Sequence, residues 1–466
     1  MRAALRRTFS ALDSYNYRLL FVSELISHTG GWMQNMAEAW LVLTLTHSGA
    51  AVGATFAFRF APVLLFGLWG GAIADRYDRR TVLLLTQAAA AVLAVALWLV
   101  VLLGVVHVWM VFGLAFMVGL VTVVEQPAHH AFVEEMVGRD KLANAVALNS
   151  AVLNSARITG PAIAGLLIAA TSVAWVFFVN AVSYVAVVIA LAAMRRSELR
   201  PLRHDGERPR VREGLAYAWG ITEIRATIAL VGVVGTLVYN FPTFLTLMAQ
   251  ETFHGGAGLA GLLMAVLGVG TVFGALLAAH RARQTSRTVL IAAAVLGASM
   301  VGMGALPSKA LVFAALVPVG ALAVFFGATA NAHMQMWSRA DYRGRVMAIY
   351  SLLTLGMTVV GGPLMGWVSQ HWSPRVGIGV AGAATLVSAA ALWATGSGRR
   401  PEVSGVVVLT PTADAALGDL THAHAAVGDG AAVGPYLEVD GPLREYDVAV
   451  HGELVEVEPH RPHVGE

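Results

Sequence analysis

The chain has 466 residues, of which 57% are hydrophobic and 13% charged, with 48 glycines besides and a mean hydropathy of +0.68. Soluble domains carry about 25% charged residues, so a water-soluble globular protein and a disordered chain are both excluded, and the long continuous apolar runs exclude an alternating outer-membrane barrel. The net charge of +3 hides an asymmetry, because residues 1–400 hold 29 Lys+Arg and 16 Asp+Glu whereas residues 401–466 hold 2 and 12. The absence of cysteine excludes disulfides and thiolate sites.

A membrane-spanning helix needs about 20 mostly apolar residues. Twelve stretches qualify in chain order: 17–45, 51–74, 81–103, 108–127, 145–170, 174–194, 227–250, 257–280, 287–306, 310–336, 345–370 and 375–396. The first is too long for a cleavable signal peptide, carries Glu24 and Glu38, and lacks a small-residue cleavage site. Basic residues fall after even-numbered spans, at Arg76, Arg79 and Arg80, at Arg139 and Lys141, across 195–225, at Arg281, Arg283 and Arg287, and at Arg339, Arg343 and Arg345. The opposite face holds only Lys309 and Arg375. The positive-inside rule therefore places both termini in the cytoplasm, in a multi-pass protein of the cell's inner membrane. In such a protein basic loops signal orientation and lipid contact, and nucleic acid is not expected as a partner.

The long basic stretch divides the chain into a six-helix bundle (1–195), a cytoplasmic linker (196–225), a second six-helix bundle (226–398) and an acidic tail (399–466). The tail combines acidity with Gly and Pro and few aromatics, a composition expected to stay disordered. The two bundles echo each other. N-A-V-A-L-N-S-A-V at 144–152 matches R-V-M-A-I-Y-S-L-L at 345–353, and Gly160-Pro161 followed by Gly165 matches Gly362-Pro363 followed by Gly366. Such a repeat implies a pseudo-two-fold axis along the membrane normal, with a cavity between the halves.

The loop after the second span reads G-A-I-A-D-R-Y-D-R-R at 71–80. It resembles the signature loop of the major facilitator superfamily, with Asp78 where most members have glycine. The Asp-Arg-Tyr-Asp-Arg-Arg form is similar to the drug and siderophore exporter branch typified by the enterobactin exporter. So are Glu125-Gln126-Pro127, the run at 143–165 and R-G-R-V-M-A-I-Y-S-L at 343–352, whereas His129 and His130 depart from that branch. The resemblance covers about residues 10–396. It implies an all-α integral membrane protein of twelve helices in two bundles, and an inner-gate charge relay of Asp75, Arg79 and Glu125. It also implies that Ala156, Gly160, Pro161, Ala164 and Gly165, with Arg157 among them, form a variant of the antiporter motif.

Ionisable residues inside a membrane are costly and expected to face a partner or water. Arg157 lies inside the fifth span and Arg59 inside the second, each either snorkelling or functional. On the first span, His28, Asn35 and Glu38 fall within about 40° of Glu24 around the helix, with Gly31 between them. That face is expected to line the central cavity. Glu38, with no base on its own helix except His28, is expected to be unpaired and to carry the coupling proton. Glu24 and His28 either relay protons or form a structural i,i+4 pair. Tyr239, Asn240 and Asn331 are further cavity candidates, and Trp32, Met33, Met36 and Trp40 supply an adaptable apolar wall.

No phosphate-binding glycine loop is present, so a proton gradient is the expected energy source and no cofactor is expected. His422 and His424 lack the further ligands that would make a metal site. The chain reads as no enzyme but as a monomeric transporter working by alternating access. It is expected to export amphipathic organic compounds (drugs, secondary metabolites or siderophores) against protons. A proton-coupled uptake symporter, or a non-transporting sensor or scaffold built on the tail, are the alternatives.

Overall fold

The computed structural model describes residues 9–199, 217–280 and 285–395, the side chains of 68, 72, 74, 75, 139, 340 and 341 excepted, and in the tail the backbone alone of 422–423, 439–440, 447–450 and 453–456. A short 3-10 turn, Ser10–Asp13, precedes the helices α1 (Tyr15–Thr46), α2 (Gly49–Arg76), α3 (Arg79–Leu102), α4 (Val108–Val137), α5 (Arg139–Ala170) and α6 (Val173–Ala193). The second half holds α7 (Thr222–Thr252), α8 (Ala257–His280), α9 (Ser286–Ala305) and α10 (Lys309–Met336). It ends with α11, which runs from Ala340–Ser351 through Leu352–Gly356 into Thr358–His371, and α12 (Pro374–Ala394). Eleven of these are long and apolar enough to cross a membrane. The twelfth, α1, has the length at 32 residues but carries the polar row, which it turns toward its neighbours. The described tail residues form two short antiparallel pairs, His422–Ala423 with Val439–Asp440 and Asp447–Val450 with Glu453–Glu456. The rest of the tail and most of the linker lie outside the described residues.

Two of the tight turns between the first helices show local devices that suit them. Asp78 caps α3, its carboxylate accepting from the Thr81 N–H at 2.9 Å and from the Thr81 hydroxyl at 2.5 Å. The departure from the family's glycine at this place is thus a helix cap. Gly138 alone joins α4 to α5, with φ of 72°, in the left-handed region that a side chain disfavours.

Two elements differ from the sequence reading. The fourth span is expected to end at Pro127, yet α4 continues to Val137, because one proline within a helix removes a single hydrogen bond and the following Ala128-His-His-Ala-Phe-Val resumes the helix. In α7 the continuous helix is interrupted. π-helical turns at Val234–Val238 and Met248–Thr252 flank Phe241–Leu247; Asn240 stands at the start of that segment without a side-chain cap bond, and Pro242 sits in its first turn, where its missing N–H costs nothing.

The packing repeats between the halves. α2 lies on α4 as α8 lies on α10, and α3 lies on α6 as α9 lies on α12. The halves meet through two equivalent pairs, α2 with α11 and α5 with α8. Both Gly-Pro segments sit at these junctions. A Cβ at Gly362 would lie 2.5 Å from the Gly53 carbonyl oxygen, and one at Gly53 would strike Gly362 in return. Gly366 and Gly49 oppose each other in the same way. At the other junction a Cβ on Gly165 would lie 2.9 Å from the Ala257 carbonyl oxygen, and one on Gly261 would strike the Pro161 carbonyl. Lipid removes the hydrophobic drive for helices to associate, so close backbone approach through small residues is what remains to hold them.

These glycine contacts lie toward the end opposite the basic loops. There Gln370 of α11 reaches the α1–α2 turn. Its Oε1 accepts from the Gly49 N–H at 3.0 Å and the Ser48 hydroxyl at 3.2 Å, and its Nε2 donates to the His47 carbonyl at 3.4 Å.

Candidate functional site

The polar face of α1 divides into two groups. Toward the end opposite the basic loops, Glu38 accepts both oxygens' worth of contact from the Arg59 guanidinium of α2, at 2.9 and 3.0 Å. Arg59 also donates to the Asn35 Oδ1, and the Gln34 Nε2 donates to Glu38 at 2.6 Å. Gln34 in turn accepts from Asn180 of α6, whose Oδ1 accepts from the Ser183 hydroxyl at 3.0 Å. This overturns the expectation of an unpaired Glu38. The base comes from the next helix, which the sequence order alone does not bring alongside. Arg59 is thereby committed to α1, as Asn35 is to Arg59.

Nearer the basic end, Glu24 pairs with His129 of α4. The i,i+4 pairing with His28 is not formed; His28 stays beside both Glu24 and His129. His130 stacks edge-on to His129 at 5.8 Å, and one turn back Glu125 accepts from Gln87 of α3 at 2.7 Å. Two carboxylates and three imidazoles therefore gather where α1, α3 and α4 meet inside the bilayer. Half-buried Tyr184 of α6 lies in electrostatic range of both Glu125 and Arg59, between the two groups.

At the basic end, the expected relay of Asp75, Arg79 and Glu125 takes another form. Arg79 pairs with Glu135 at 2.5 Å. The reason is the extension of α4 beyond Pro127, which carries Glu135 to the loop and leaves Glu125 inside the membrane. The Asp75 side chain lies outside the described residues. Arg80 donates to the Leu191 and Ala192 carbonyls at 2.8 and 2.9 Å, placing a cation at the carbonyl end of α6. Asp78, outside the membrane, has its carboxyl held below the usual carboxylate range, first by the Thr81 hydroxyl.

The remaining candidates disperse. Arg157 lies over the Trp32 ring at 5.2 Å, and its Nε is buried without a hydrogen-bond partner. Gly160 packs on Trp32, where a Cβ would meet the Trp32 Cβ at 2.5 Å. The Tyr239 hydroxyl donates to the Ala323 carbonyl at 3.2 Å, and the Asn240 Nδ2 donates to the Thr236 carbonyl at 2.7 Å, leaving its Oδ1 unpartnered. Asn331 accepts from Gln335 at 2.6 Å near the basic end of α10. Sequence reasoning missed Gln34, Gln87, Asn180, Glu135 and Gln370. For His129 the signal was present, as a departure from the branch's pattern directly after Glu125.

Twelve helices in two packing-equivalent halves, with ionisable groups gathered inside the first, define a transporter of the major facilitator type. The chain matches the family model of transmembrane secretion effectors over residues 6–399, and it belongs to that family. It is 22% identical to the staphyloferrin A transporter of Staphylococcus aureus over 355 residues, covering 75% of this chain and 88% of the relative. It is 22% identical to an Escherichia coli enterobactin exporter over 373 residues (80% and 89%), and 28% identical to the multidrug efflux pump Tap of Mycolicibacterium fortuitum over 377 residues (76% and 90%). In fold it is similar to the nucleoside transporter NupG, with a TM-score of 0.68 at 11% identity over 82% of this chain and 98% of that one. It is also similar to a bacterial homologue of ferroportin, with a TM-score of 0.61 at 15% identity over 83% and 99%. The chain is thus a multi-pass membrane transporter and not an enzyme.

Proposed function

We propose that this protein is a proton-driven exporter of amphipathic organic compounds, working as a monomer by alternating access in the cytoplasmic membrane with both termini inside. The observation that carries the reading is the Glu24–His129 pair inside the bilayer. A proton added to Glu24, or lost from His129, removes the attraction that ties α1 to α4. Of the groups beside the pair, His130 lies toward the basic end and His28 and Glu125 lie about one turn toward the opposite end, so such a proton has titratable neighbours in both directions. Ionisable groups of this kind are costly to place inside a membrane, and where they occur they mark ion or substrate pathways. Glu38, tied to Arg59 and Gln34, holds α1 to α2 and is no longer the favoured carrier.

The two glycine junctions and the Gln370 contact hold the far end closed in this state. Export requires that they part while the basic end closes, and Arg79–Glu135 lies where a gate at that end would act. The names of the relatives, a staphyloferrin A transporter, enterobactin exporters and a multidrug efflux pump, support organic compounds as the cargo. The test uses everted membrane vesicles and a panel of amphipathic compounds of both charges. Energised vesicles accumulate an exported compound, and a protonophore abolishes this. Accumulation by intact cells instead would establish uptake. A complete absence of flux, with the tail required for some cellular response, would favour the sensor reading.

A further inference from the structure

We propose that Arg157 is the recognition point of the central binding site and that the compound carried is an amphipathic organic anion; this rests on the export reading above. The basis is the pairing of charges inside the bilayer. Each interior carboxylate is engaged: Glu24 by His129, Glu38 by Arg59 and Gln34, and Glu125 by Gln87. A cationic compound finds no free acid among these three. Arg157, midway along α5, has no carboxylate within ion-pair distance among the described residues. The partner shown for it is the face of Trp32, and its Nε has none. A cation–π contact offsets only a fraction of what a buried guanidinium loses on leaving water.

The position suits a cargo site. Gly160 lets α1 approach α5 closely enough to lay Trp32 over Arg157. Gly268 of α8 lies against the Arg157 carbonyl, a Cβ there falling 3.0 Å from the oxygen. Tyr239 of α7 lies within electrostatic range from the second half. Arg157 therefore stands where both halves meet, and both change their distance to it when the halves rock. Next to Trp32 in the chain, the Cβ position of Gly31 has no atom within 4 Å, so there is room on the polar face of α1. A planar guanidinium with free donors pairs with carboxylate, phenolate or sulfonate groups in a fixed geometry, and Trp32 and Tyr239 offer flat surfaces to an attached ring.

The test measures equilibrium binding to the full chain in nanodiscs with three probes that share one ring: 1-naphthoate, 1-naphthamide and 1-naphthylmethylammonium. The wild type is expected to bind the naphthoate about tenfold tighter than the amide. Arg157→Lys should keep a preference for the anion. Arg157→Gln should bring naphthoate down to the level of the amide while leaving amide binding unchanged. The wild-type series decides the matter even if Arg157→Gln does not fold. Tightest binding of the ammonium probe, no binding of naphthoate, or an undiminished anion preference in folded Arg157→Gln would each overturn the proposal. So would loss of naphthoate binding when chloride replaces gluconate at about 0.15 M, which would make this an inorganic anion site. Counterflow in proteoliposomes separates the two readings. Arg157-dependent naphthoate binding without flux keeps the anion site and defeats export. Flux of the ammonium probe without naphthoate binding does the reverse.

Discussion

If Glu38 and Arg59 form a structural tie and not a proton site, removing both together should do less harm than the two single removals added together. Glu38 is 2% exposed and Arg59 14%. Removing one partner of a buried pair costs about 3–5 kcal/mol in proteins where this has been measured. Glu38→Gln leaves Arg59 with its bond to Asn35 and some access to solvent, which lowers the expected cost to about 2–3 kcal/mol. Arg59→Gln leaves the more deeply buried Glu38 with Gln34 alone, for about 3–4 kcal/mol. In the double variant neither charge is stranded, so its cost should fall short of the sum by about 2–3 kcal/mol. Reversible unfolding in mixed detergent micelles measures all three variants against the wild type. Proteoliposome transport under an imposed pH gradient should survive in the double variant. Additive destabilisation, or loss of gradient-driven transport in a folded double variant, would refute the assignment.

Glu24→Gln should keep the fold and binding but lose stimulation by a pH gradient, read as proton flux by an entrapped pH dye; full coupling in this variant would move the carrier elsewhere. Gln370→Ala removes hydrogen bonds between the halves worth about 1 kcal/mol in total, which is about a fivefold shift toward opening at that end. The chain has no cysteine, so faster maleimide labelling of a single cysteine placed at the fully buried Val52 measures that shift, and an unchanged rate would show that the glycine junctions alone close this end. Asp78→Ala should cost about 1 kcal/mol or less through loss of the α3 cap, the group being exposed to solvent, whereas Asp78→Asn should cost little. Because the folded state holds the Asp78 carboxyl below its usual value, its contribution is complete above about pH 4 and lost as pH falls through the folded value; thermal unfolding of wild type and Asp78→Ala from pH 3 to 7 should converge at the acid end.

The twelve helices, their order, the internal repeat and the polar face of α1 are properties of the sequence alone. Each follows from a local rule: a span must satisfy its own backbone over about 20 apolar residues, and a helix brings residues three or four apart onto one face. The repeat was equally legible, since a Gly-Pro pair followed within four or five residues by a further glycine recurs in equivalent spans, and the structure puts both to the same use at the α5–α8 and α2–α11 junctions. What the tertiary structure decided is who pairs with whom. Glu38 found Arg59 because α2 returns against α1, and Glu24 found His129 because α4 crosses α1 at that height. Arg79 took Glu135 and left Glu125 to Gln87 because α4 runs on past Pro127. Gln370 reached a turn some 320 residues earlier in the chain, at Ser48 and Gly49. An ion pair acts over a few ångströms between side chains of different helices. Its partner is therefore set by the length of each helix and the height at which helices cross, and neither quantity resides in any local stretch of the sequence.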